Sequence, residues 1–167
     1  MTDEEYAAVN RLNSYRNRIH LVLILGYFKV KPVCLVYGWK DIADDYRYVA
    51  ERYFPSASKQ NKNIDRQTRG RLYHAVFSIV GYQRYDQPVE LELLTYLNKR
   101  ATLYVDETQL FKDMVALLES KQMAIPRYST LQKVISSVVN TEEARLAALI
   151  GRHLSNKDAF FSADRSQ

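Results

Sequence analysis

The residues best suited to chemistry in this chain stand together in Asp65-Arg66-Gln67-Thr68-Arg69-Gly70-Arg71. Guanidinium forks pair bidentately with phosphate oxygens and guanine edges, and Gln and Thr side chains hydrogen-bond bases or phosphates. Lys59, Lys62 and Arg84 extend the stretch. Residues 57–84 thus hold six basic residues against Asp65 alone and carry the whole of the net charge of +5. A polyanionic partner explains such a concentration. A solvated helix flank explains it too, and charge alone leaves both open. Arginines crowding the first two turns of a helix oppose its dipole, which an anion at that helix start would relieve. At 100° per residue Arg66 and Arg69 share a face and Arg71 stands about 200° from Arg69. Two arginines facing a groove, with one left for packing or an ion pair, is the arrangement expected.

A second constellation lies in Leu110 to Val138, read as a helix, a short connection and a helix. The start of the second helix presents Arg127, Tyr128, Ser129, Thr130, Gln132 and Lys133, all able to contact phosphates or bases. A helix-turn-helix places such a helix start in the major groove. The connection is longer than the tight turn of that motif, and a purely structural αα-hairpin is the competing reading. Tyr46, Tyr48, Tyr53, Tyr73, Tyr82 and Tyr85 gather around the basic region. Such aromatics stack on bases in some proteins and more often serve the core.

Other chemistries find little support. His20, His74 and His153 are far apart, and none has metal-ligand spacing with Cys34. Asp44-Asp45 and Glu142-Glu143 are adjacent pairs that point to different sides of a helix. No glycine-rich phosphate loop and no nucleophile elbow is present. No metal, no cofactor and no catalytic residue is therefore expected. The lone Cys34 rules out an internal disulfide. The longest apolar run, Ile19 to Phe28, is about half the ~20 residues a bilayer requires. Asp3, Glu4 and Glu5 open the chain where a secretory signal would be basic.

The elements that must position these residues read as all-α, in two small helical bundles. Helices are expected from Thr2, from Asn13-Ser14 to Phe28, and over Asp41–Tyr53. A fourth is expected over Ile64–Gly81 with a stripe of Leu72, Ala75, Val76, Ile79 and Val80. Others follow over Val89–Leu103 and Glu107–Gln122, and from Ser129. Asn140-Thr141 is read as the cap of an eighth helix, 142–154, that buries Leu146, Leu149 and Ile150. The tail from Asn156 is expected to fray. Val33–Tyr37 resembles a short strand, but no partner strand is visible. Turn residues near Tyr85-Pro88 suggest a boundary between residues 1–85 and residues 86–167, the second bundle holding the helix-turn-helix-like pair.

Taken in order, four segments resemble the N-terminal region of the Tn-three-type replicative transposases. They are Arg16-Asn17-Arg18-Ile19 before an apolar helix; Gln67-Thr68-Arg69 leading to Gly81-Tyr82 and Tyr85; the leucine-rich Leu93 to Ala101; and Ile125-Pro126-Arg127-Tyr128-Ser129-Thr130-Leu131. Two departures stand out. The family often has a histidine where this chain has Leu72, and its Ile-x-Pro is contracted here to Ile125-Pro126. The resemblance implies a helical domain that binds the double-stranded inverted repeats of transposon ends. The residues implicated are Lys62, Arg66, Gln67, Thr68, Arg69 and Arg71, the set 127–130 with Gln132 and Lys133, and Arg16 and Arg18. It implies recognition without cleavage, since cutting belongs to a distant acidic triad with divalent metal. It also implies a bacterial cytoplasmic, nucleoid-associated setting, and leaves room for a homodimer formed outside this chain. A helical protein-interaction scaffold and an unrelated helix-turn-helix regulator are the rival expectations.

Overall fold

The computed structural model describes residues 1–57 and 63–163, with side chains described through Leu154. Among the described residues the protein is all-helical, with seven helices and two isolated β-bridges. Residues 1–85 and 118–127 form one compact unit; residues 86–117 and those from 128 onward form another. A single cut between 85 and 86 therefore misses one exchange: segment 118–127 belongs with the first unit.

The first unit is built around α2. Helix α1 (Asp3–Asn10) starts on a capping box, in which Glu5 N–H donates to Thr2 Oγ1 and Thr2 N–H to the Glu5 carboxylate. Helix α2 (Tyr15–Val30) buries Ile19, His20, Leu21, Leu23, Ile24, Leu25 and Phe28, residues on nearly every side, as a central helix must. It packs against α1, α3 (Trp39–Tyr53) and α4 (Arg66–Val80). Helix α3 contributes Ile42, Tyr46 and Val49, and α4 contributes Leu72, Tyr73, Val76 and Phe77. Gly81 closes α4 at φ 72°, a left-handed position that glycine takes without strain.

The extended segment after α2 does have a partner. Val33 bridges Ile125 and Gln83 bridges Met123, both parallel. Ile125 N–H donates to Pro32 O at 2.8 Å, Cys34 N–H to Ile125 O at 3.0 Å, Gln83 N–H to Gln122 O at 2.8 Å and Ala124 N–H to Gln83 O at 2.9 Å. Segment 122–125 thus lies between two other segments of the first unit. Val33 lies some 90 positions from Ile125, and Gln83 some 40 from Met123, too distant for a local pattern to announce.

The second unit contains α5 (Gln87–Ala101), most of α6 (Glu107–Ser120) and α7 (Tyr128–Ala163). Asp86 caps α5 by accepting from Val89 N–H at 3.2 Å, with Pro88 in the first turn. Helix α5 packs along α7. Leu93 and Leu97 of the one and Leu131, Val134, Ile135 and Val138 of the other are buried. Several expectations fail here. The seventh and eighth helices are one continuous helix of 36 residues that runs through the expected fray at Asn156. Thr141 does not cap; its hydroxyl donates back to Ser137 O at 2.7 Å, as it does inside a helix. Leu146, Leu149 and Ile150, expected to be buried, are 38%, 39% and 60% exposed. The helical period is right, but the stripe runs on past its packing partner.

A candidate nucleic-acid interface on the first unit

Asp65 sets the start of α4. Its carboxylate accepts from Thr68 N–H at 2.7 Å and from the Thr68 hydroxyl at 3.1 Å. The Thr68 N–H holds that carboxyl below the usual carboxylate range, against the opposing effect of burial. The cap's negative charge meets the helix N-terminus, so the arginines that follow are less anomalous than the sequence suggests.

Those arginines separate into different roles. Arg69 turns inward: its guanidinium lies 4.8 Å from the centre of the Tyr37 ring and donates to Tyr37 O at 3.2 Å. Thr68 is buried beneath the cap. Arg71 donates to Thr68 Oγ1 at 3.2 Å while its residue stays exposed. Arg66 and Gln67 are exposed. The shared face expected for Arg66 and Arg69 is therefore divided, because Tyr37, delivered by the loop before α3, captures the second guanidinium. Burial pushes the Tyr37 hydroxyl up to about 12 despite the nearby Arg69 charge. That hydroxyl lies 3.2 Å from Nδ1 of the buried His20, so Arg69, Tyr37 and His20 continue one line from surface to core.

Arg66, Gln67, Gly70, Arg71, His74 and Ser78 make up the exposed side of α4. Arg66, Gly70, His74 and Ser78 follow one another at i, i+4 spacing, a line about 18 Å long at 1.5 Å per residue. No carboxylate occurs anywhere in α4. Arg84 joins the line, with a guanidinium nitrogen 3.3 Å from His74 Nε2. Arg127 is exposed, and it and Arg84 both act electrostatically on the half-buried Cys34 thiol, which burial nevertheless raises to about 11. Arg84 belongs to the basic stretch seen in the sequence, whereas His74 is a member of this group that the sequence reading sets aside. Its signal is its spacing, three residues from Arg71 and four from Gly70.

The other expected residues are divided. Arg18 serves the fold: its Nε donates to Leu12 O at 2.6 Å and a terminal nitrogen to Asn10 O at 3.2 Å, meeting carbonyls at the end of α1, which has no basic residue in its last turn. Arg16 is half-buried and acts on Tyr46. Lys62, like Lys59, lies outside the described residues. In the second unit Tyr128, Ser129, Gln132 and Lys133 are exposed at the start of α7 and Thr130 is half-buried. Tyr128 and Gln132 line a cleft of about 330 Å³ with Phe111 and Lys112. The connection between α6 and α7 is residues 121–127, held by its backbone in the first unit. It is not the three- or four-residue turn of a helix-turn-helix. Among the described residues no cluster of three or more His, Cys, Asp or Glu side chains could hold a metal ion, and no helix is long and apolar enough to cross a membrane.

Residues 1–138 match the family DUF4158, a domain of unknown function, and the chain belongs to that family. No curated protein and no solved structure shows a significant match.

Proposed function

From membership of that family as the premise, we propose that this chain is a duplex-DNA-binding domain acting at transposon ends, without a catalytic centre of its own. The observation that carries this reading is the exposed side of α4, where Arg66, Gln67, Arg71, His74 and, through His74, Arg84 are gathered with no carboxylate of the same helix among them. Such a face supplies phosphate contacts that position a duplex and polar groups that read base edges. The exposed start of α7, with Tyr128, Ser129, Gln132 and Lys133, is a second contact in this reading. Inverted-repeat DNA as the target, and cleavage by a separate acidic triad, follow from the resemblance to Tn-three-type transposases.

The rival reading, a protein-interaction scaffold, draws on one specific feature: the exposed Leu146, Leu149, Ile150 and Leu154 of α7. Fluorescence anisotropy with a labelled transposon-end duplex and a random duplex of equal length separates the two. DNA binding requires the end to be bound at least tenfold more tightly than the random duplex. A scaffold binds neither.

A further inference from the structure

Gly70 is a weak choice for the place it occupies. It sits in the fifth position of the fifteen-residue α4 and is exposed, and a side chain begun there would meet nothing within 4 Å. Glycine inside a helix is destabilising relative to alanine because it loses more backbone freedom on folding. No internal contact repays that loss, and no positive φ demands glycine at this position. Gly26 and Gly151 also lie in helices with open space around them. Gly70 differs in its surroundings: Arg66 and Gln67 stand one turn before it, Arg71 beside it and His74 one turn after, all exposed. The result is a notch of bare backbone in the middle of a cationic face.

We infer that α4 enters the major groove of duplex DNA with Gly70 as its point of closest approach, so that Gln67 and Arg71 beside the notch reach base edges while Arg66 and Arg84 hold phosphates. The inference rests on the DNA-binding reading above and adds to it the helix, the groove and the residues that read. The major groove, about 12 Å wide, admits a helix only when the side chains aimed at its floor are short or are themselves the readers. A glycine flanked by longer donors meets that condition. Glutamine suits adenine and arginine suits guanine, each through two hydrogen bonds on the major-groove edge.

The test uses the full chain and duplexes recovered by selection from a random 30-base-pair library. Gly70→Ala and Gly70→Leu both extend a side chain into open space and both favour the helix, so both fold. Each should raise the melting temperature of the first unit by about 4–8 °C, the shift that about 1 kcal/mol gives a unit of roughly 60–100 residues. Gly70→Ala should bind the selected duplex within about threefold of wild type, and Gly70→Leu at least tenfold more weakly. Replacing guanine by 7-deazaguanine in that duplex removes only a major-groove acceptor and should weaken wild-type binding about tenfold. Replacing guanine by inosine removes only a minor-groove amine and should not. Wild-type affinity in Gly70→Leu, on a duplex that Arg66→Ala weakens, would overturn the inference while leaving DNA binding intact. A greater loss with inosine than with 7-deazaguanine overturns it likewise. Failure of the wild-type chain to select or bind any duplex overturns both readings.

Discussion

At the scale of single residues, the main finding is that neighbouring arginines do different work. Arg69 lies on the ring and carbonyl of Tyr37, whereas Arg66, three positions earlier, faces solvent. Replacing Arg69 by Ala should therefore cost stability, about 1 kcal/mol for a partly desolvated cation–π contact, and move DNA affinity by no more than about threefold. Replacing Arg66 by Ala should do the reverse, with an unchanged melting temperature and weaker binding. Thermal denaturation and anisotropy on the two variants check this pair together. The sequence shows that arginines crowd this helix start and that one is left for packing; it does not show which. That choice depends on Tyr37, which arrives from 32 positions away through a loop with no regular pattern.

At the scale of elements, helix periods and several helix ends were legible and partners were not. The Gly81 stop and the stripes of α3 and of the first half of α7 follow from local residue chemistry. In α4 the expected stripe holds at Leu72 and Val76, but Ala75, Ile79 and Val80 are half-buried and Tyr73 and Phe77 fill the core instead. The helix stops after Val30 and before Pro32 for an equally local reason. The parallel bridges of 122–125 could not be read, because three short segments distant in sequence meet there. Leu146, Leu149 and Ile150 stay exposed although their spacing is helical, because periodicity reports that a face is apolar, not that another element covers it. The boundary of that coverage is Glu142, buried and accepting from Arg145 Nε at 2.8 Å and from one terminal nitrogen of Arg145 at 2.6 Å. A contrast follows. Leu131→Ser should destabilise the second unit by about 2–5 kcal/mol, as a truncated core leucine does. Leu149→Ser should change its stability by less than about 0.5 kcal/mol. Thermal melts of the two variants decide it, and equal losses would show that the late turns of α7 are packed.

At the scale of the whole molecule, four carboxylates, Glu5, Asp65, Asp113 and Glu142, act as internal fasteners, and none of them lies within α4. Glu5 is buried and paired with Lys29; burial raises its carboxyl, but Lys29 and the Thr2 N–H more than offset this and hold it below its ordinary range. Asp65 is lowered first by the Thr68 N–H, Asp113 first by the Tyr104 hydroxyl and Glu142 first by Arg145. A carboxyl depressed in the folded state adds stability that is fully present above its unfolded pKa and is lost as pH falls through the folded value. The melting temperature should thus be flat from pH 7 to about 5 and fall steadily below about 4.5. Asp65→Asn should flatten the part of that fall that belongs to the first unit. A melting temperature that holds steady down to pH 3 would mean that these contacts do not hold the fold.

The central claim is that the outward side of α4 meets phosphates, and the salt dependence of binding tests it most directly. The affinity of the full chain for a duplex should be measured from 50 to 200 mM salt, for the wild type and for the Arg66→Ala, Arg84→Ala double variant. Each phosphate contact contributes about −0.9 to the slope of log affinity against log salt. The expected result is a steep wild-type slope that becomes shallower by about 1–2 in the double variant, with its melting temperature preserved. A slope unchanged by losing both guanidinium groups, in a variant that remains folded, would contradict the claim.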